Sequence, residues 1–232
     1  GIRDSVSSRG LGDVDKRQVT YRPIFDLSNN ISYISCIGTN LTESKRLEKE
    51  FLEQLKIIRE KNLYISQSMQ YAKTIQRAMF NSAERLRNDY GAELVYFPKD
   101  IVSGDFYWAS KTNDGSKVLA VVDCTGHGVP GAFLSLIGLK SIQEIVQERQ
   151  ISDPKLILDS LNSEIKRILN QEKTQNNDGM DVSLVVYKEI DNGKIKLSFT
   201  GAKLPLYYYS KKENAVKYIK GSRKTIGGAY YD

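Results

Sequence analysis

The sequence is poor in cysteine and histidine, and it lacks a long apolar run. Its 232 residues include two cysteines, Cys36 and Cys124, and one histidine, His127. Two distant cysteines do not indicate a disulfide framework, so a reducing compartment is expected. No apolar run approaches the roughly 18–20 residues that span a bilayer, and no signal peptide is visible. These absences predict a cytoplasmic protein with no membrane segment in this chain.

Composition and charge are typical of a globular protein. The apolar fraction is 40% and the charged fraction is 27%, which are ordinary values for soluble domains. Much of the net charge of +6 lies in residues 203–224, where seven Lys and Arg face only Glu213. A solvated face is favoured for this stretch, and a surface for a partner or substrate is the alternative. No nucleic-acid module with interleaved aromatics is present, so no nucleic-acid partner is expected.

The segment VVDCTGHGVPGAF, residues 121–133, combines small and reactive residues as phosphate and metal sites do. A cysteine phosphatase requires Cys-x5-Arg, but Pro130 stands in the place of the Arg. A P-loop requires Gly-x4-Gly-Lys-Ser/Thr, but Ala132 follows the second glycine. A zinc site requires several His or Cys ligands, but His127 is the only histidine and the chain has only two cysteines. Asp123 remains, before a tight glycine turn, either as a ligand for Mg2+ or Mn2+ or as an ordinary turn or cap residue.

The chain is predicted to contain four segments. Residues 1–17 are polar and are expected to be flexible. Residues 18–44 contain two β-rich runs around the turn DLSNN, which predicts a hairpin. A long helix is expected over residues 45–88, after a capping box in which Asn40 is followed by Glu43. Residues 89–232 then form a domain of strands and helices.

A seam of apolar residues runs along the predicted helix at alternating steps of four and three. Seven of its nine positions are apolar, and the polar ones fall at a positions: Phe51, Leu55, Ile58, Asn62, Ile65, Met69, Ala72, Gln76 and Met79. An Asn at an a position is a known device for fixing a parallel dimer in register. The seam predicts a parallel homodimer through residues 45–80. The alternative is one amphipathic helix packed on its own domain.

The last segment has the pattern of an α+β domain. ELVYFPKDIVSGDFYWAS and KVLAVVDCTGHG alternate like strands around the turn NDG. Helices are expected from 129 to about 149 and from Asp153-Pro154 to about 171. GMDVSLVVYKEI, KIKLSFTGA and PLYYYS then return to strands. This order predicts an antiparallel β-sandwich flanked by helices.

Three aspartates stand at strand margins beside glycine or another small residue: Asp105, Asp123 and Asp181. Each alone has an ordinary reading as a turn residue. Together, the pattern PKDIVSGDFYW…VLAVVDCTGHGVPGAFLSLIG…DGMDVSLVVY…FTGAKLPLYYY…TIGG closely resembles the bacterial metal-dependent serine/threonine phosphatases of the stage II sporulation protein E (SpoIIE) and RsbU type. These phosphatases belong to the PPM, or type 2C, superfamily. The resemblance runs from about Glu93 to the last residue.

The hairpin and its tail, GTNLTESKRLEKE, resemble the end of a PAS sensor domain. Asn40 stands where that family usually has Asp, and only about residues 18–45 match. An unrelated hairpin before a helix is the alternative. Because most of a PAS pocket would be absent, no bound sensory ligand is expected in this chain.

The resemblance to SpoIIE-type phosphatases implies metal-binding and catalytic roles. Asp105 resembles the first acidic ligand, Asp123 the carboxylate that bridges two metal ions, and Asp181 the ligand of the second ion. The main-chain carbonyl of Cys124 fills the place usually held by a Gly carbonyl. Two Mn2+ or Mg2+ ions would activate a shared water and neutralise the phosphoryl oxygens. No covalent nucleophile is then needed.

Four turn residues are expected to shape the backbone around this site: Gly104, Gly126, His127 and Gly128. Gly126 and Gly128 are expected to allow positive φ and a close approach of the backbone. His127 is expected to pack or hydrogen-bond in the turn, and the alternative is a role in proton transfer.

One departure from the family pattern leaves two functions open. The family's last metal ligand lies in a Ser/Thr-Asp-Gly motif after the IGG segment, and this sequence ends at Asp232 before any such motif. The site and the domain are therefore expected to be C-terminally incomplete. The first function is a phosphatase acting on phosphoserine or phosphothreonine of an anti-anti-sigma-like regulatory protein, controlled by an upstream sensor through the coiled coil. The second is a catalytically incomplete signalling or scaffold fragment that dimerises and binds partners without turnover.

Overall fold

The computed structural model describes residues 17–190 and 193–228. It divides into two compact units, Gly1–Ser66 and Gln67–Asp232. Nearly all of the predicted flexible segment 1–17 lies outside the described residues. The predicted segment bounds at 44/45 and 88/89 stay predictions.

The first unit contains the predicted hairpin. Strands β1 (Arg17–Phe25) and β2 (Ile31–Asn40) pair antiparallel. In the turn, the Asp26 carboxylate accepts hydrogen bonds from the backbone N–H groups of Ser28 and Asn30, at 2.8 and 2.9 Å. These bonds explain why DLSNN reverses the chain, since Asp side chains mimic a backbone turn. The hairpin is confirmed, whereas its likeness to a PAS domain stays a prediction.

Helix α1 (Thr42–Met79) runs from the first unit into the second. The Asn40 side chain accepts from the Thr42 N–H at 3.0 Å, which satisfies one of the unpaired donors at the helix start. Apolar seam residues such as Phe51, Ile58 and Ile65 are 63, 51 and 57% exposed. The first two-thirds of α1 therefore carries an apolar stripe that the described part of this chain leaves open to solvent.

The second unit alternates strands and helices. Its elements are α2 (Ala83–Tyr90), β3 (Phe106–Lys111), β4 (Lys117–Cys124), α3 (Gly128–Gln143) with a π-helical turn (Glu144–Glu148), α4 (Pro154–Ile168), β5 (Gly179–Ile190), β6 (Lys194–Ala202), β7 (Leu206–Ser210), β8 (Ala215–Ile219) and β9 (Ile226–Gly227). The Asp153 side chain caps α4 by accepting from the Leu156 N–H, with Pro154 in the first turn. The two helices and the strands β5, β6 and β7 lie where the sequence predicts them.

The strands form a five-stranded antiparallel sheet and a separate hairpin. The sheet has the order β3-β4-β5-β6, and β9 also pairs with β5. The hairpin is β7 with β8. The predicted α+β class with antiparallel strands is confirmed. The NDG turn joins β3 and β4, whereas the DNG turn between β5 and β6 lies partly outside the described residues.

The core lies between one face of this sheet and the helices. Alternate residues of β4 and β5, such as Val118, Val122 and Leu184, are at most 1% exposed and pack with apolar residues of α3 and α4. The stretch Gly128–Glu148 is long and apolar enough to cross a membrane by length and composition alone. Its residues Leu139 and Ile142 belong to this core, which accounts for the apolar character.

The strand predicted in ELVYFPKDIVSGDFYWAS begins later than expected. Residues 91–105 have no regular strand, and β3 begins at Phe106. Val95 and Phe97 are 82 and 91% exposed. Alternating apolar and polar residues are not enough to form a strand, because a strand needs a hydrogen-bonded neighbour. No described strand pairs with this stretch.

Candidate metal centre and active site

The sheet brings the three predicted aspartates to neighbouring strands. Asp123 on β4 stands directly opposite Asp181 on β5 in the antiparallel register. Asp105 immediately precedes β3, whose first residue, Phe106, pairs with Val122. Because antiparallel partners share a face, the pairing gathers residues that are up to 76 positions apart (181 minus 105) at one end of the sheet.

The carboxylates interact electrostatically. Burial raises the pKa of Asp123, and a side-chain hydrogen bond with Asp105 and the negative charges of Asp105 and Asp181 raise the pKa further. Like charges that share a site disfavour simultaneous ionisation. This repulsion is what a bound divalent cation would offset.

Asp181 is also held by two residues that sequence reasoning missed. Thr225 Oγ1 donates to Asp181 Oδ1 at 2.8 Å, and it lies 2.9 Å from the carbonyl oxygen of Met180. Lys203 Nζ lies 3.5 Å from the same Asp181 oxygen. Both residues fall in the segments FTGAKLP and TIGG of the quoted pattern, but periodicity could not show that they meet Asp181.

Close backbone contact joins the loop before Asp105 to the turn after Asp123. Gly126 and Gly128 have φ of 84° and 64°, as predicted. A Cβ atom placed on Gly104 would lie 2.8 Å from the Gly126 carbonyl oxygen and 3.4 Å from the Cys124 carbonyl oxygen. The absence of a side chain at Gly104 therefore lets the Gly126 carbonyl approach the Asp105 loop, beside the Cys124 carbonyl.

The Cys124 thiol is a core group rather than a reactive one. Cys124 is 4% exposed. Burial raises its pKa well above the ordinary range, and the charges of Asp123 and Asp105 raise the pKa further. Since the thiolate is the nucleophilic form, this cysteine is unsuited to attack phosphate.

His127 contacts a residue that lies outside its own turn. It stands at the N-cap of α3 without capping the helix through its side chain. Its Nδ1 lies 2.7 Å from Asp100 Oδ2, and the imidazole is 71% exposed. Asp100 was not predicted as a site residue, although it lies in the PKD run of the quoted pattern.

Gln76 differs most from its predicted role. It was assigned to a polar position of the dimer seam, but it is 4% exposed and bonded within the second unit. Its Nε2 donates to the Ser103 carbonyl oxygen at 2.7 Å and to Ser135 Oγ at 2.9 Å, and its Oε1 accepts from the Ser103 N–H at 3.1 Å. Ser103 Oγ in turn accepts from the Asp105 N–H at 3.0 Å. The end of α1 thus connects to the Asp105 loop through one serine.

An open cavity of about 400 Å³ lies at this end of the sheet. Its lining includes Asp123, Cys124, Asp181, Lys203 and Thr225. Within residues 17–190 and 193–228, no group of three or more His, Cys, Asp or Glu side chains is arranged as a metal cage. Carboxylates and a backbone carbonyl are nevertheless the donors that Mg2+ and Mn2+ prefer, and their mutual repulsion fits such a cation.

Comparisons with known proteins identify the family and the fold of the chain. The family model described as stage II sporulation protein E (SpoIIE) matches residues 113–229, a range that includes Asp123 and Asp181 and begins after Asp105. The structure titled SiaA-PP2C domain of Pseudomonas aeruginosa is 32% identical, with a TM-score of 0.60. The alignment covers 72% of this chain and 64% of that one, so this chain spans less than two-thirds of that relative. No curated protein matches.

The fold is therefore that of a PP2C-like phosphatase domain, with mixed helices and antiparallel sheets. The chain belongs to the SpoIIE family of phosphatases.

Proposed function

We propose that this chain is a metal-dependent protein phosphatase that hydrolyses phosphoserine or phosphothreonine on a regulatory protein of the anti-anti-sigma type. The observation that carries the proposal is the pairing of Asp123 with Asp181 across the sheet, with Asp105 directly before the strand that pairs beside Asp123. This arrangement lies at an open cavity in a chain of the SpoIIE family. A cavity with convergent carboxylates is suited to hydrolysis by hard cations.

The proposed roles follow from the chemistry of the side chains. Asp123 would hold both of two Mn2+ or Mg2+ ions, Asp105 and Asp181 one each, with the Cys124 carbonyl as a further donor. When bound, such ions supply positive charge for the phosphoryl oxygens and lower the pKa of an attacking water. Thr225 fixes the orientation of the Asp181 carboxylate through its 2.8 Å hydrogen bond, as partners of metal ligands do.

His127 is the residue in the turn whose side chain is chemically suited to transfer a proton. Its Nδ1 is engaged by Asp100 at 2.7 Å, which leaves Nε2 as the ring nitrogen available for exchange. A carboxylate that fixes the tautomer and orientation of an imidazole is a recurrent device in general acid–base catalysis. We infer that His127 delivers a proton to the departing serine or threonine oxygen.

Control by an upstream sensor is proposed to act through α1. The open apolar stripe of α1 supports a parallel homodimer within residues 45–80, as the seam predicts. Because Gln76 is buried in its own domain, the stripe available to a partner ends before that residue. A rotation of α1 would displace Gln76, which is hydrogen-bonded to Ser103. Ser103 in turn accepts from the Asp105 N–H, so the displacement would reach the Asp105 loop. A signal that acts this way must favour one state by a few kcal/mol.

Metal binding and turnover test the proposal separately. We expect Mn2+ to bind the 232-residue chain weakly and to raise its unfolding temperature, and we expect its hydrolysis of p-nitrophenyl phosphate to be slow and to require Mn2+. A concentration of 100 times Kd would stabilise the folded state by about 2.7 kcal/mol. Asp123→Asn should abolish both effects while stabilising the metal-free protein, since one of the repelling charges is removed.

The matched control is Asp89→Asn, which changes a partly exposed aspartate that pairs with Arg85 on α2. It should retain the hydrolysis and the Mn2+ stabilisation of the unsubstituted chain. Stabilisation by Mn2+ without hydrolysis would favour the second function, a scaffold that binds partners without turnover. Undiminished hydrolysis by Asp123→Asn would contradict the assignment of the site.

A further inference from the structure

A second cleft, of about 400 Å³, adjoins the candidate active site. We name it the basic cleft, and the residues that matter in its lining are Lys203, Tyr207, Tyr218, Lys220, Ser222 and Arg223. It lies between the β7–β8 hairpin and the segment that leads to β9. Neither the metal chemistry nor the core packing described above uses these side chains, apart from Lys203.

Backbone contacts hold the two sides of the basic cleft together. The Lys203 N–H donates to the Ser222 carbonyl oxygen at 2.9 Å, and the Ser222 N–H donates to the Gly201 carbonyl oxygen at 2.7 Å. A Cβ atom on Gly221 would lie 2.7 Å from the Leu204 carbonyl oxygen, so only glycine allows this approach. The positions of Lys203 and of the segment 220–223 are therefore fixed relative to one another.

Lys203 adopts an unusual backbone conformation at the edge of this cleft. Its φ is 58°, in the left-handed region that side-chain-bearing residues rarely adopt. Such strain persists only where surrounding contacts impose it, and it occurs often at binding and catalytic sites. Lys203 lines both the basic cleft and the cavity that contains Asp123 and Asp181. Lys203 therefore borders both depressions.

Two of the cations of the basic cleft, Lys220 and Arg223, are not neutralised by a described acidic residue. Glu213, the only acidic residue in the stretch 203–224, pairs with Lys217 on the hairpin. Lys220 and Arg223 are exposed and make no ion pair with another described residue. The Tyr207 and Tyr218 rings, with centroids 5.9 Å apart, form an apolar wall beside these cations. An extended segment with carboxylates matches this surface, because guanidinium and ammonium groups bind carboxylates and tyrosines pack against the chain.

We propose that the basic cleft binds an acidic segment that flanks the phosphorylated residue of the substrate protein. This inference rests on the proposed phosphatase function, since it assigns the phosphoserine or phosphothreonine to the Asp123–Asp181 cavity. Lys203 Nζ lies 3.5 Å from Asp181 Oδ1. Lys203 would therefore stand between the phosphorylated residue and the acidic segment of the substrate. One extended residue spans about 3.3–3.6 Å, so acidic residues within a few positions of the phosphate are the ones to test against Lys220 and Arg223.

Peptide binding to the full chain tests this proposal independently of turnover. Three fluorescent peptides are compared by anisotropy at low salt: a phosphoserine peptide with four glutamates at positions two to five, the same peptide with glutamines, and the glutamate peptide without phosphate. The charge-reversed variant is Lys220→Glu with Arg223→Glu. The matched control, Lys211→Glu with Lys212→Glu, makes the same change of net charge in the β7–β8 turn, at the other end of the hairpin from Tyr207 and Tyr218.

The unsubstituted chain and the control should bind the glutamate phosphopeptide about three- to tenfold more tightly than the glutamine one, and salt should reduce the difference. Lys220→Glu with Arg223→Glu should remove the preference. Equal loss in the control, no preference in the unsubstituted chain, or tighter binding of a single-stranded oligonucleotide or of anionic vesicles would each overturn the proposal. Selective peptide binding without hydrolysis of p-nitrophenyl phosphate would support the cleft and contradict the phosphatase activity.

Discussion

Replacing Gln76 with leucine should strongly destabilise the phosphatase unit. The side chain is 4% exposed, and the substitution removes its three hydrogen bonds while keeping a similar volume. Ser103, which is 7% exposed, would lose the partner of both its N–H and its carbonyl. A buried polar group without its partner costs about 1–3 kcal/mol, and leucine burial offsets part of the sum, so the expected net loss is about 2–4 kcal/mol.

Urea unfolding monitored by Trp108 fluorescence measures this loss. Trp108 is the only tryptophan, is 5% exposed and lies on β3, so it reports on the second unit. With a slope of about 2 kcal/mol per molar urea, the midpoint should fall by about 1–2 M. The matched control is Gln70→Leu, at an exposed position of the same helix, which should change the stability by about 0.5 kcal/mol or less.

Equal midpoints for Gln76→Leu and Gln70→Leu would refute the reasoning, because they would mean that Gln76 is solvated and belongs to the apolar stripe. A lower midpoint together with weaker Mn2+ stabilisation would support the path from α1 to the Asp105 loop. Gln76→Glu gives a second test. It places a carboxylate oxygen against the Ser103 carbonyl, so it should destabilise the unit although the shape of the side chain is retained.

Three further predictions address other parts of the chain. Iodoacetamide should modify native protein once, at the exposed Cys36, because burial raises the pKa of Cys124; two adducts by mass spectrometry would contradict the buried thiol. Light scattering at tens of micromolar should give a dimer, with Asn62→Leu associating more strongly and in less defined numbers; a monomer would count against the seam. Gly131→Ala should lower the urea midpoint, since its Cβ would lie 2.6 Å from the Gly126 carbonyl oxygen; an unchanged midpoint would contradict that packing.

Local patterns in the sequence were sufficient to predict most elements and to nominate the candidate ligands. Period-two alternation places β5, and the Asp153-Pro154 pair places the start of α4, because both depend on residues adjacent in the chain. The conformational freedom of glycine, which has no Cβ atom, likewise predicts the positive φ of Gly126 and Gly128. Asp123 and Asp181 were recognisable because each stands at a strand margin within a pattern that resembles a known family.

Which distant groups meet depends on the tertiary structure. Gln76 fits a heptad as well as it fits a buried contact, and its partner Ser135 is 59 positions away. Asp100 and Thr225 likewise have no periodic signal, since their partners His127 and Asp181 lie 27 and 44 positions away. The periodicity of apolar residues shows which side of a helix or strand is apolar, but it does not show which loop or strand covers that side. Antiparallel pairing and close glycine contacts determine which residue becomes the partner of each of these groups. Both exist only once the sheet has formed.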